Sequence, residues 1–181
     1  MSFHEGLDDL GTYYQIRKVD GTTPILFIHG VGLDHSMWSP QTDFFKNQTT
    51  IVYDLIGHGY STCTQHEVNF EDFSFQIESL LQILRIQKVI IIGFSLGGLI
   101  AAHFSSTRKH YALKTVLFGT IFNRTDEQQK KAVERFINVQ ETYLNAPQQL
   151  DRWFNQDYLS SHPDIAEKIT NILNNNNHDD F

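Results

Sequence analysis

Cysteine is almost missing from this chain: Cys63 stands alone among 181 residues. A single thiol excludes an intrachain disulfide and a cysteine-built metal cluster. There is no basic run, and the formal charge of −7 with a pI near 5.6 argues against nucleic acid or an anionic membrane as partner. No apolar stretch is long enough to span a bilayer. The opening residues, M-S-F-H-E-G-L-D-D-L-G, lack the charged and apolar regions of a signal peptide. Together these absences lead to the expectation of a reducing, cytoplasmic setting, with no metal and no cofactor implied.

What is present suits a core. Apolar residues make up 40% of the chain, charged residues 19% and aromatics 13%, the composition of a soluble globular protein and, at this length, of one domain. Thr12–Val19 alternates weakly and ends at Asp20-Gly21, which reads as a strand and turn. P-I-L-F-I-H, residues 24–29, is a continuous apolar run closed by Gly30 and predicts a fully buried strand. Ser39-Pro40 starts a helix carrying Phe44 and Phe45. Ile51–Leu55 predicts another short strand. Asn69 caps a helix whose Phe70, Phe73, Ile77, Leu80, Leu81 and Leu84 recur at three- and four-residue spacing. A strand over 88–93, a helix over 95–108 and a strand over 113–118 follow. Strands alternating with helices imply an α/β fold with a mostly parallel sheet and helices on both faces.

The pattern changes after Phe122. Thr125 and Gln128 read as a capping box, with Val133, Phe136, Ile137 and Leu144 on one apolar face. Pro147 and Pro163 each suit the first turn of a further helix. One of these presents Leu150, Trp153 and Phe154, the other Ile165, Ile169, Ile172 and Leu173. No strand is readable from Asn123 onward. Residues 1–122 therefore read as a core and 123–181 as a helical cap or lid.

The chemistry centres on Gly93-Phe94-Ser95-Leu96-Gly97. A serine on a sharp strand-to-helix turn takes a strained backbone, and glycines two before and two after let the chain pass close by. The turn lifts the hydroxyl off the sheet and aims the Leu96 amide at the place where a negative oxygen would form. The pentapeptide alone would occur by chance in about one chain in twenty of this length. Its position after a five-residue apolar strand and before an apolar helix is what gives it weight. The alternative is an ordinary turn with a serine cap.

Two further stretches bear on the same site. In His29-Gly30-Val31-Gly32 the glycines would let the Val31 N–H act as a second oxyanion donor, while the His29 side chain reads as structural. In D-L-I-G-H-G-Y-S, residues 54–61, the best reading is a tight loop ordered by Asp54 accepting backbone N–H bonds, not a catalytic pair with His58. His35, His66, His103, His110 and His162 share no metal-ligand spacing and are expected on surfaces or loops.

Taken in this order, H-G-V-G-L-D-H-S-M-W, D-L-I-G-H-G-Y-S and G-F-S-L-G-G resemble the oxyanion loop, post-strand loop and nucleophile elbow of the α/β-hydrolase fold superfamily. The resemblance runs from about Thr12 to Phe122. The stretch R-W-F-N-Q-D-Y-L-S-S-H-P-D-I-A-E-K-I is similar to the cap of 3-oxoadipate enol-lactonases and nearby small esterases. The resemblance implies a serine hydrolase acting on a small ester or lactone, with Trp153, Phe154 and Phe136 as candidates for the cap's inner surface. Arg124 and Arg152 are candidate anchors for an anionic substrate. It also admits a small-molecule receptor or signalling partner with a slow or vestigial site.

Three departures stand out. The superfamily usually has Arg where Ile56 stands, and often H-P where this chain reads K-H-Y. It also carries an acid and then a histidine after the nucleophile, whereas His178 and Asp179 come in the opposite order in an Asn-rich stretch. The expectation is that these residues form the N-terminal two-thirds of a hydrolase, whose acid and base lie elsewhere.

Overall fold

The computed structural model describes residues 1–63, 67–137 and 146–175, apart from the side chains of 135–137 and 175. Leu144, His66 and His178 fall outside the described residues, as do the Phe136 and Ile137 side chains.

Six strands form one sheet: β1 (Ser2–Leu7), β2 (Tyr13–Lys18), β3 (Ile25–Ile28), β4 (Thr50–Tyr53), β5 (Val89–Phe94) and β6 (Ala112–Phe118), in the order β1-β2-β4-β3-β5-β6. The pairs β4-β3, β3-β5 and β5-β6 are parallel, and β1-β2 and β2-β4 are antiparallel. The sequence reading has no counterpart for β1. Its residues are nearly all exposed, so no buried face imprints an alternation on them. The strand is held by its turn to β2, where the Asp8 carboxylate accepts the Leu10 and Thr12 amides.

Each face of the sheet buries its own cluster. On one side Leu26, Ile28, Ile51 and Ile91 pack beneath α2 (Phe70–Ile83) and α3 (Leu96–Thr107), meeting Ile77, Leu80, Leu81, Ile100 and Phe104. On the other, Ile25, Phe27 and Val52 pack against Trp38 and Phe45, around a 3-10 turn (His35–Trp38) and α1 (Ser39–Phe44). Adjacent residues of β3 thus point to opposite faces and are all buried. This is why its sequence is a continuous apolar run, each such side chain contributing about 1.5–3 kcal/mol. The second face is covered less well. Ile90 and Ile92 are only half-buried, and Val116 and Phe118, their neighbours on β6, are exposed.

Among the described residues four helices follow: α4 (Asp126–Ile137), α5 (Ala146–Trp153), α6 (Gln156–Ser161) and α7 (Pro163–Asn175). At the start of α4 the Thr125 hydroxyl accepts the Gln128 amide while the Gln128 side chain accepts the Thr125 amide, the reciprocal pair expected from the sequence. Helix α7 returns to the 3-10 turn, where Lys168 Nζ donates to the Ser36 carbonyl at 2.8 Å. Among the described residues no helix is long and apolar enough to cross a membrane.

Strands β3 and β5 are neighbours, with Ile28 level with Gly93. The chain leaves β3 towards β4 on one side and leaves β5 towards β6 on the other. Loops that diverge from the carboxyl ends of adjacent parallel strands open a crevice, the usual ligand position in such sheets. The loop after β3 and Ser95 meet there.

Candidate active site

Ser95 has φ 52° and ψ −115°, a left-handed backbone that a residue with a Cβ rarely adopts. Such strain costs of the order of 1–3 kcal/mol and persists only where the surroundings enforce it. They do so here. The Ser95 amide donates to the Phe118 carbonyl at 2.9 Å, and its own carbonyl accepts the Gly98 amide at 3.0 Å. A Cβ on Gly93 would fall on the Gly97 carbonyl, and one on Gly97 would fall on the carbonyls of Ile28 and His29. The glycines thus allow strand, turn and helix to cross without a gap. The Ser95 side chain makes no capping bond to α3, so the ordinary serine-cap reading does not describe it.

Ser95 opens into a cavity of about 870 Å³. Gly30, Val31, Phe94, Leu96 and Leu99 line its floor. The loop after β3 passes so close that a Cβ on Gly30 would lie 3.3 Å from the Ser95 Cβ. Neither the Val31 nor the Leu96 amide meets an acceptor among the described residues. Two unpartnered N–H groups beside a hydroxyl can hold an oxygen that becomes negative during reaction. The cavity's outer wall comes from the later part of the chain: Arg124, Lys131, Gln149, Arg152 and Trp153 line it, and among the described residues no Asp or Glu does. On α5, positions 149, 152 and 153 share one helical face. Phe154, just past the end of that helix, stacks on Tyr158 instead.

The histidines nearest the site are committed elsewhere. His29 is fully buried; its Nδ1–H donates to the Gly30 carbonyl at 2.8 Å and its Nε2 accepts the Leu55 amide at 2.9 Å. Burial, reinforced by the neighbouring His58, lowers its pKa to about 3, so the ring is neutral at pH 7. Asp54 is also fully buried. Its carboxylate accepts the His35 and Tyr60 amides, and its carbonyl accepts the Ser61 hydroxyl and the Gln76 side chain. It orders its loop as the sequence implies.

His35 departs from expectation. It is buried, not on a surface, and its Nδ1–H donates to Asp54 at 2.8 Å. Burial opposes its charged form, but the hydrogen bond and charge of Asp54 outweigh that and raise its pKa. His103 pairs with the Ser74 hydroxyl and His162 with the Tyr158 carbonyl. Among the described residues, none forms a hydrogen bond with the Ser95 hydroxyl, and no group of three metal-ligating side chains occurs.

Two glutamines escaped the sequence reading. Gln149 is 2% exposed, an amide on the inner face of α5. Gln76, on the apolar face of α2, accepts the Ile56 amide at 3.3 Å and donates to the Thr12 hydroxyl and the Asp54 carbonyl. It braces the loop at the position where Ile56 departs from the usual Arg. Only a polar residue interrupting an apolar stripe could have signalled either one.

A sheet of this topology, with a strained serine after β5 at the crevice beside β3, defines the α/β-hydrolase fold. Residues 23–176 match the family described as alpha/beta hydrolase fold, and the chain belongs to it. Among its relatives is the (E)-2-((N-methylformamido)methylene)succinate hydrolase of Acinetobacter baylyi, 29% identical over 137 residues, which are 75% of this chain and 52% of that protein. The 3-oxoadipate enol-lactonase 2 of the same organism is 25% identical over 154 residues, 82% of this chain and 56% of that one. The crystal structure of the enol-lactonase from Burkholderia xenovorans LB400 superposes with a TM-score of 0.79 at 22% identity, covering 91% of this chain and 65% of that one. The chain thus spans about half the length of the curated relatives it matches.

Proposed function

We propose that the whole protein is a serine hydrolase that cleaves a small, carboxylate-bearing ester or lactone through an acyl-enzyme at Ser95. The observation that carries this reading is the strained serine facing a cavity beside two unpartnered amides. Ser95 Oγ would attack the acyl carbonyl while a histidine takes its proton, and the carbonyl oxygen would become an oxyanion held by the Val31 and Leu96 amides. Collapse of that intermediate would expel the alcohol with the histidine's proton. Water would then cleave the acyl-enzyme by the same steps. None of the described histidines reaches Ser95, so we place the base and its acid in the part of the fold that the longer relatives carry beyond this match.

The preference for an anion rests on charge. In a chain of net charge −7, the cavity wall carries Arg124, Lys131 and Arg152 and, among the described residues, no acid. Lys131 also pairs with Glu127, but Arg124 and Arg152 form no ion pair among the described residues. The relatives' names support it, one being a hydrolase of a substituted methylenesuccinate and another an oxoadipate enol-lactonase. In this reading residues 123–181 are the lid over the 1–122 core, and Trp153 meets the acyl group. Phe154 would brace that surface through its stack on Tyr158.

The absence of a base beside Ser95 among the described residues favours one rival, a receptor on the same fold. Turnover of p-nitrophenyl acetate by the full-length protein separates the two. Many equivalents of product per protein support the hydrolase; release that stops at one equivalent or never starts supports the receptor.

A further inference from the structure

We infer that His29 is a positioning residue that sets the direction of the Val31 amide, an inference that rests on Val31 serving as an oxyanion donor. One peptide unit connects the two groups. The Gly30 carbonyl and the Val31 N–H belong to the same planar trans peptide, so they point in opposite directions. Fixing the oxygen therefore fixes the hydrogen. The His29 Nδ1–H holds the Gly30 oxygen at 2.8 Å from the buried side, and the Leu33 amide reaches the same oxygen at 3.2 Å. With the oxygen turned inward, the Val31 N–H is turned away from His29, and Val31 lines the cavity that Ser95 faces.

The imidazole is itself fixed. Its Nε2 accepts the Leu55 amide at 2.9 Å, which leaves Nδ1 to carry the proton and donate it to Gly30. The ring spans the loop after β3 and the loop after β4, so the donor's direction is referred to the sheet and not to a mobile turn. Gly30 lacks a Cβ that would otherwise stiffen its backbone, and a Cβ there would press on the Phe94 ring at 3.1 Å. A glycine peptide beside a reacting centre can flip unless something holds its oxygen. Both of the ring's nitrogens are used in this bridge, which explains a histidine here without giving it any part in proton transfer.

The two amide side chains separate the ring's two functions. Asn places its nitrogen near the position of Nδ1 and can still donate to Gly30, whereas Gln reaches the position of Nε2 and can only meet Leu55. The experiment compares wild type, His29→Asn and His29→Gln in the full-length protein, reading kcat and KM for an activated ester, Ki for a trifluoromethyl ketone, and Tm. We expect Gln to lower kcat by about 10²–10³-fold, the cost of losing one oxyanion donor. The ketone, which binds as a tetrahedral oxyanion, should weaken in parallel while KM stays within about threefold. Asn should keep kcat within about tenfold.

Equal losses for both variants, tracking Tm and leaving the ketone's Ki unchanged, would mean that His29 only holds the fold together. If Gln does not fold, Asn decides alone: retained kcat supports the inference, and a loss above about a hundredfold at unchanged Tm overturns it. A wild-type protein that neither turns over the ester nor binds the ketone would overturn the hydrolase reading and this one with it.

Discussion

The amide of Ser95 donates to the carbonyl of Phe118 at 2.9 Å, so the strained turn at the site is held from the end of strand β6. That strand lies at the edge of the sheet, and the Phe118 side chain is 61% exposed. The backbone that keeps the nucleophile candidate in place thus belongs to the least covered part of the core. Large apolar side chains on an unpaired edge invite another chain to pair with it.

The first prediction follows directly. The 181-residue chain purified alone should elute from size exclusion as oligomer or aggregate, and Val116→Lys with Phe118→Lys should shift it several-fold towards monomer. A monodisperse wild-type monomer would contradict the uncovered edge.

A second prediction concerns substrate charge. In the full-length protein, Arg124→Gln and Arg152→Gln should each lower kcat/KM for a carboxylate-bearing ester roughly tenfold, mainly through KM. A neutral ester of the same size should change less than about twofold. Added salt should weaken the wild-type preference, since both arginines are exposed. Equal effects on the two esters would remove the anion preference.

Third, the buried histidines link stability to pH. His29 in the folded chain has a pKa of about 3, and burial lowers that of His58 as well. Once unfolded, both take up protons below about pH 6.5, so stability should fall as pH drops from there towards 4. The His29 contribution alone is about 2 kcal/mol at pH 5. His35 works the other way: its raised pKa adds stability below about pH 6.5, and that gain is lost as pH rises through the folded value. Denaturant midpoints of His29→Asn measured from pH 4 to 7 should show a flatter acid limb than wild type. An unchanged slope would mean that His29 takes up protons as readily folded as unfolded.

How legible these features were depended on burial. The strands β3 and β5 could be read because both their faces or one whole face meet apolar partners, which forces runs such as I-L-F-I. Ser95 could be read because three separate chain segments crowd its turn and leave room only for glycine. Strand β1 could not, since an exposed hairpin arm leaves its residues unconstrained. His35 was misplaced because its burial depends on Asp54, 19 residues away in sequence. Gln149 looked like any surface glutamine, and only the placement of α5 over the crevice puts it inside.

The central claim is that Ser95 is the nucleophile, and covalent labelling tests it most directly. Full-length protein treated with a fluorophosphonate and mapped by peptide mass spectrometry should carry one adduct, on Ser95. In Ser95→Ala the adduct should vanish and kcat should fall by about 10⁴-fold or more, with Tm little changed. An adduct on a different serine, or an Ala variant that still turns over ester at the wild-type rate, would contradict the account.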